Sequence, residues 1–284
     1  MPVTITPEIL TAIAPAAGTP EWAPHIIDGM RKFGVDRSAL SAAMFLGTCA
    51  EETGGFQKAG REESGWYSPD RIVQIWPWIS AAKAAELAQD RTGAATRNYA
   101  YDDRQRGPGL GNIFDGDGEK YKGRGIIQLT GRWLYTKYAS ACGDQDVVSS
   151  PERVATDTHH AVGSACWYWS FARCADVAET GNFRELTRKV NGSTLNMDER
   201  LRYYTAAAFA LGLNSAGAGW KEDGREVTTK TIQMALEKAG FPCGGVDGID
   251  GPKTHVAVAA FQRSRGLVVD GVPGPATKAA LGLA

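Results

Sequence analysis

Two copies of one pattern stand 23 residues apart in this chain, Asp247-Gly-Ile-Asp-Gly-Pro-Lys-Thr254 and Asp270-Gly-Val-Pro-Gly-Pro-Ala-Thr277, both fitting D-G-x-x-G-P-x-T. An internal repeat constrains the fold strongly, because each copy must build the same structural unit. Here the unit is a tight turn feeding a helix: Gly supplies a permissive backbone, Pro suits a first helical turn, and Asp or Thr bonds local amides. Small apolar residues at helical spacing follow each copy, Val256, Ala259, Ala260 and Phe261 after the first and Ala279, Ala280 and Leu283 after the second. Upstream, residues 231–239 predict a third short amphipathic helix closed by Gly240. Residues 224–284 therefore predict a compact three-helix module. From Lys221 onward it holds 8 basic and 7 acidic residues, a balance that does not mark a polyanion binder.

The small, flexible run Leu211-Gly-Leu-Asn-Ser-Ala-Gly-Ala-Gly219 reads as a linker, which divides the 284 residues into a domain at 1–211, a linker at 212–223 and the module at 224–284. Helical periodicity marks 7–16, 21–33, 38–52, 80–89, 156–172, 184–190 and 198–210, so the larger domain is expected to be mainly α. Its best β candidate is a short strand or hairpin at 122–129, and the Gly- and Asp-rich stretch 91–122 reads as a long loop. A formal charge of -1 argues against bulk electrostatic binding to nucleic acid. Five cysteines without a C-x-x-C pair read as reduced, mostly buried thiols. The first basic residue is Arg31, so no basic start of a secretory signal is expected. The uncharged run 203–220 is diluted by Gly, Ser, Asn and Thr and reads as a helix end plus linker, so no membrane insertion is expected.

The chemistry starts at the helix 38–52, stopped by Gly54-Gly55. Phe45, Thr48, Cys49 and Glu52 recur at i, i+3, i+4 and i+7, which sets Glu52 on an apolar face. Desolvation and the negative end of the helix dipole both disfavour its charge, so a raised pKa, suited to a general acid, is expected. Taken alone, two Glu at a helix end read more ordinarily as a solvated terminus. Glu63, eleven residues on, supplies a second carboxyl, and one protonated and one ionised carboxyl are what glycoside hydrolysis requires. Trp66, Tyr67, Trp76 and Trp78 offer rings for sugar stacking, or simply a Trp-rich core. In the run Tyr121 to Tyr135, Gly123 and Gly125 permit close backbone approach, and Gln128 and Thr130 share one face if the segment is extended, as a polar wall for ligand or water or as a plain hairpin.

These residues carry a resemblance. Ala50-Glu-Glu-Thr-Gly-Gly-Phe56 resembles the H-E-[ST]-G-G-F signature, and Gly123-Arg-Gly-Ile-Ile-Gln-Leu-Thr-Gly131 the G-R-G-x-I-Q-L-T-G signature, of family 19 glycoside hydrolases, the chitinase-like enzymes of plants and bacteriophage endolysins. Gly116-Asp-Gly118, Glu63-Ser-Gly-Trp-Tyr-Ser68, Val190-Asn-Gly192 and Arg200 continue the match in order. The tail, with Ala257-Val-Ala-Ala-Phe-Gln262, resembles a small peptidoglycan-binding domain. The resemblance implies a lysozyme-like helical catalytic domain with a small β element, joined to a wall-binding module, as in a phage endolysin that cuts β-1,4 bonds of peptidoglycan with inversion. It implies Glu52 as general acid, Glu63 as general base, Thr130 as holder of the attacking water, and Gln128, Tyr121, Asn191, Arg200, Trp66 and Tyr67 on the substrate. It also implies no cofactor or metal, a monomer, and storage in the host cytoplasm before release to the wall. Three departures stand out: Glu51 replaces the usual His, Leu134-Tyr135 replaces an Asn-Tyr pair, and two extra residues between Phe56 and Glu63 keep Glu62 open as the base.

The alternatives are a chitinase acting on N-acetylglucosamine polymers, a zinc amidase or peptidase, and an inactive wall-binding protein. His25, His159, His160 and His255 form no H-E-x-x-H, and His159-His160 read as cap or surface residues. Cys166, placed mid-helix, reads as a buried structural thiol.

Overall fold

The computed structural model describes residues 2–58, 60–63, 65–192, 196–213, 221–222, 225–249 and 251–283, with the side chains of 198, 221–222, 225–226, 252 and 275 excepted. Most of the expected linker, Ser64 within the Glu63–Ser68 motif and Asp250 within the first repeat lie outside the described residues. The described chain is mainly helical, as the periodicity predicts, with two antiparallel pairs of two-residue strands. It divides into two compact units, residues 1–57 with 169–284, and residues 58–168.

The first unit is organised by the helix Ala39–Glu52. Ser38 caps it by accepting from the Ser41 amide at 3.1 Å, an interaction worth about 1 kcal/mol. Every residue from Ser41 to Ala50 is buried, the pattern of a helix enclosed on all sides. The helix Met197–Ala210 packs along it, and a Cβ at Gly47 would lie 2.7 Å from the Tyr204 backbone, so glycine sets the approach. Trp169 stands edge-on to Phe45 at 5.3 Å and donates its indole N–H to Ser41 Oγ at 3.1 Å. The helix ends where Gly54 and Gly55 take positive φ, and Thr53 Oγ accepts from the Phe56 amide at 2.8 Å.

Near the C-terminus, helices Thr229–Lys238, Pro252–Ser264 and Pro275–Ala280 enclose a core of Val227, Ile232, Leu236, Cys243, Ala257, Val258 and Phe261. The two repeats are built alike. Gln233 Nε2 donates to Asp247 Oδ1 at 2.8 Å and Thr254 Oγ1 at 3.1 Å; Gln262 Nε2 donates to Asp270 Oδ1 at 2.7 Å and Thr277 Oγ1 at 3.1 Å. The repeated Asp and Thr thus fix turns around a buried glutamine. A short antiparallel pair, Lys221–Glu222 with Arg225–Glu226, precedes the three helices and is not expected from the sequence.

In the second unit, Arg61–Glu62 pairs antiparallel with Arg124–Gly125, and Arg124 also bridges Leu129, which places a hairpin at 124–129 within the β element expected at 122–129. Helices Pro69–Ile75, Ala81–Leu87 and Ala94–Ala100 share a core of Ile72, Ile79, Ala84, Leu87, Ala88 and Ala100. The stretch 91–122 is not one loop: it holds Ala94–Ala100, Asp103–Arg106 and Asp117–Lys120. The helix Arg132–Cys142, also unpredicted, follows the hairpin. All five cysteines are thiols, four of them buried, Cys166 among these. His160 corrects a surface assignment: it is buried, meeting Tyr138 Oη at 3.1 Å and Asp144 at 3.3 Å.

Candidate active site

Glu52 occupies the last position of its helix, where unpaired carbonyls make a negative charge unfavourable. Its carboxyl is 7% exposed, and that of Glu51 is 8% exposed. One guanidinium serves both: Arg200 Nη2 lies 2.5 Å from Glu52 Oε1 and 2.7 Å from Glu51 Oε2. Asn191, at the end of helix Phe183–Asn191, donates to Glu52 Oε1, and Asn196 donates to Glu51 Oε1 at 3.0 Å. Burial pushes the Glu51 carboxyl above the ordinary range, against the pull of Asn196 and Arg200. The negative charge of the adjoining Glu52 adds to that rise, so Glu51 retains a proton more readily than a carboxyl would in water. This is the physical setting of a proton donor.

Glu63 meets opposite surroundings. Tyr67 Oη donates to its Oε1 at 2.6 Å, Tyr101 Oη lies 2.9 Å from Oε1 and 3.1 Å from Oε2, and the Gly123 amide donates to Oε2 at 3.3 Å. Burial first, and then the neighbouring Glu63, push the Tyr67 phenol up to about 12; the same two causes push Tyr101 well above the ordinary phenol range. Both phenols therefore stay protonated and keep donating. Trp76 packs edge-on to both rings, at 5.4 and 5.8 Å, and so holds the donors in place. Glu62 turns elsewhere: Lys122 Nζ at 2.9 Å and Arg124 Nη2 at 3.0 Å pair with it and hold it below the usual carboxylate range despite burial. Glu62 is thus an ion-pair anchor of the strand, and Glu63 is the carboxylate held by neutral donors.

The glycine-rich motif abuts Glu63. A Cβ on Gly123 would stand 2.8 Å from Gln128 Oε1 and 3.2 Å from Thr130 Oγ1, so both side chains lie over the residue whose amide holds Glu63. They do not share the face of an extended strand: Gln128 takes φ +57° in the turn of the hairpin, with its amide nitrogen donating to Arg61 O at 3.0 Å. Thr130 Oγ1 donates to Gln128 O at 2.8 Å, which leaves its lone pairs to accept from water.

Other expected residues fare differently. Tyr121 is fully buried and donates to Val148 O at 3.0 Å, so it is a core residue and not a substrate contact. Arg200 is only 4% exposed and directed at the Glu51 and Glu52 carboxyls, and the Asn191 amide nitrogen is likewise turned to Glu52. Trp66 is 40% exposed, with its N–H on Ala88 O at 2.6 Å and the Arg91 guanidinium 4.3 Å over its ring. Tyr101 was not singled out from the sequence, since it lies 38 residues beyond Glu63 in a stretch without periodicity. Among the described residues, no group of three or more His, Cys, Asp or Glu is placed to hold a metal ion, and no helix is long and apolar enough to cross a membrane.

The class I chitinase family of glycosyl hydrolase family 19 matches residues 74–179, and the peptidoglycan binding domain family matches residues 225–281. A glycosyl hydrolase family 19 domain-containing protein of Haemophilus influenzae is 33% identical over 167 residues, 59% of this chain and 78% of that protein. Endochitinase EP3 of Arabidopsis thaliana is 36% identical over 101 residues, which span 33% of this chain and 36% of the plant enzyme. Chitinase C of Streptomyces griseus superimposes with a TM-score of 0.47 at 17% identity, covering 73% of this chain and 76% of that one.

Proposed function

The chain belongs to glycosyl hydrolase family 19, and from that premise we propose that it hydrolyses β-1,4 bonds of bacterial peptidoglycan with inversion, using Glu52 as acid and Glu63 as base. The observation that carries the choice of substrate is the match to a peptidoglycan binding domain within the same chain. The proposed boundaries are a catalytic domain at 1–211, a linker at 212–223 and a wall-binding module at 224–284.

The chemistry follows from the two carboxyl environments. The proton held by the Glu51–Glu52 pair passes from Glu52 to the glycosidic oxygen as its bond to the anomeric carbon breaks. Glu63, oriented by Tyr67 and Tyr101, takes a proton from a water that Thr130 helps hold. That water attacks the anomeric carbon from the opposite face, forming the new C–O bond and inverting its configuration. Gln128 and the rings of Trp66 and Tyr67 would line the sugar path. Two carboxyls and water balance the reaction, so the proposed step calls for no cofactor.

A phage endolysin of this design would be a monomer, stored in the host cytoplasm and released to the wall at lysis. The plant endochitinase similarity favours a second reading, in which N-acetylglucosamine polymers are the substrate. Digesting purified peptidoglycan and chitin in parallel, while assaying new reducing ends and new free amines, separates the readings. Reducing ends from peptidoglycan that vanish with Glu52→Gln are expected. Reducing ends from chitin alone favour the second reading, and amines without reducing ends overturn both.

A further inference from the structure

Sugars and peptides ask different things of a binding surface. A pyranose offers flat C–H faces that stack on exposed Trp or Tyr rings, whereas a charged peptide needs apolar ground beside paired charges. Residues before 213 expose the rings of Trp66, Trp78, Phe114 and Trp133. After Trp220 the sequence contains no Trp or Tyr, and its two Phe are Phe241 and Phe261. Phe261 is fully buried, and Phe241 packs edge-on to it at 5.4 Å within the same core. The large apolar side chains that this module exposes, Met234, Val246, Ile249, Val256, Val268 and Val269, are all aliphatic. Its repeat loops offer little either, since Asp247, Thr254, Asp270 and Thr277 are bonded to Gln233 and Gln262.

What the module does offer is a groove of about 740 Å³ between the helix Thr229–Lys238 and the segment 280–283. Met234, Val246 and Leu281 give it apolar ground, and Lys238, Arg265 and Glu237 bring two cations and one anion to its lining. Glu237 is fixed: the Cys243 amide donates to its Oε1 at 2.9 Å and holds the carboxyl below the usual range. The Arg265 guanidinium rests over the Phe261 ring at 5.4 Å. We propose that this groove binds the peptide part of peptidoglycan, a chain bearing carboxylates and a free amine, and that the module does not read the glycan. Lys238 and Arg265 pair with the carboxylates, Glu237 pairs with the amine, and the alkyl portion lies on the aliphatic ground. The inference rests on the peptidoglycan reading above and divides the polymer between the two parts of the chain, sugar to the aromatic part and peptide to the aliphatic one.

The test is NMR titration of the isotopically labelled full chain carrying Glu52→Gln with two probes, L-Ala-γ-D-Glu-meso-diaminopimelic acid and N-acetylchitotetraose. The peptide is expected to shift the backbone amides of Lys238, Arg265 and Leu281, and the oligosaccharide to leave them in place. Reversing both cations, Lys238→Glu with Arg265→Glu, is expected to weaken peptide binding about tenfold. Groove amides that move with the oligosaccharide, or stay still with the peptide, overturn the inference. Neither result touches the hydrolase reading, which stands or falls on the reducing-end assay. The titration of the unreversed chain decides the matter even if the double variant fails to fold.

Discussion

Glu52 and Glu63 carry the same side chain into two different surroundings. Glu52 ends an enclosed helix and shares the Arg200 guanidinium with a second buried carboxyl, Glu51, whose proton affinity burial raises. Glu63 faces two phenols and a backbone amide, three neutral donors that suit a carboxylate. The difference teaches that role follows environment: burial beside a second carboxyl suits a proton donor, and a fan of neutral donors suits a carboxyl that must be held in one orientation.

The comparison breaks most visibly at the acid. Glu52→Gln is expected to lower kcat on peptidoglycan by about 10²–10⁴-fold, the range of a lost general acid, as measured by release of reducing ends. A loss below tenfold would remove Glu52 from that role. At the other pocket, Glu63→Gln is expected to cost about 10²-fold or more, whereas Glu62→Gln, which removes a partner of Lys122 and Arg124, should change kcat by less than about threefold and act mainly on stability. Equal losses from the two substitutions would make the assignment of the base wrong.

These tests concern residues whose visibility in the sequence differs. The helix Ala39–Glu52 and its stop were readable because an apolar face, a Ser cap and a Gly-Gly break agree. The short helices within 91–122 were not, since side-chain to backbone bonds hold that stretch in place of a hydrophobic period. Asp90 accepts from the Thr92 and Ala95 amides, Asp103 from Gly109, Leu110 and Gly111, and Asp117 from Ile113 and Phe114. The helix Arg132–Cys142 buries only Tyr135, Tyr138 and Ala139, too narrow a stripe to stand out beside the motif before it. Tyr101 gave no local signal, because its function depends on a carboxylate brought to it by tertiary structure. Tyr121 and Arg200 were picked out by motif, yet a motif does not reveal which way a side chain turns.

Tyr101→Phe sharpens the comparison at a smaller scale. It removes a donor to both oxygens of Glu63 while keeping the ring against Trp76, and a bond to a charged group is worth about 1.5–3 kcal/mol. A fall in kcat of about tenfold, with KM little changed, is expected from steady-state kinetics. An unchanged kcat would mean that the phenol does not orient the base.

The smallest effect concerns Glu51. Burial raises its carboxyl in the folded chain, so the proton is bound more tightly folded than unfolded. The stability that this proton contributes is complete below the unfolded glutamate value of about 4.3 and is lost as pH rises through the higher folded value. Thermal melts across that window should show Tm of the wild type falling with pH more steeply than Tm of Glu51→Gln. Parallel slopes would mean that Glu51 does not hold the proton.

The proposed inversion requires Glu52 to give a proton and Glu63 to direct a water on opposite faces of the sugar. Its most direct test is the anomeric configuration of the first product, followed by time-resolved proton NMR on a soluble peptidoglycan fragment before mutarotation. New reducing ends appearing as the α anomer are the predicted result. The β anomer formed first would contradict it, since retention requires a nucleophile where inversion requires a water.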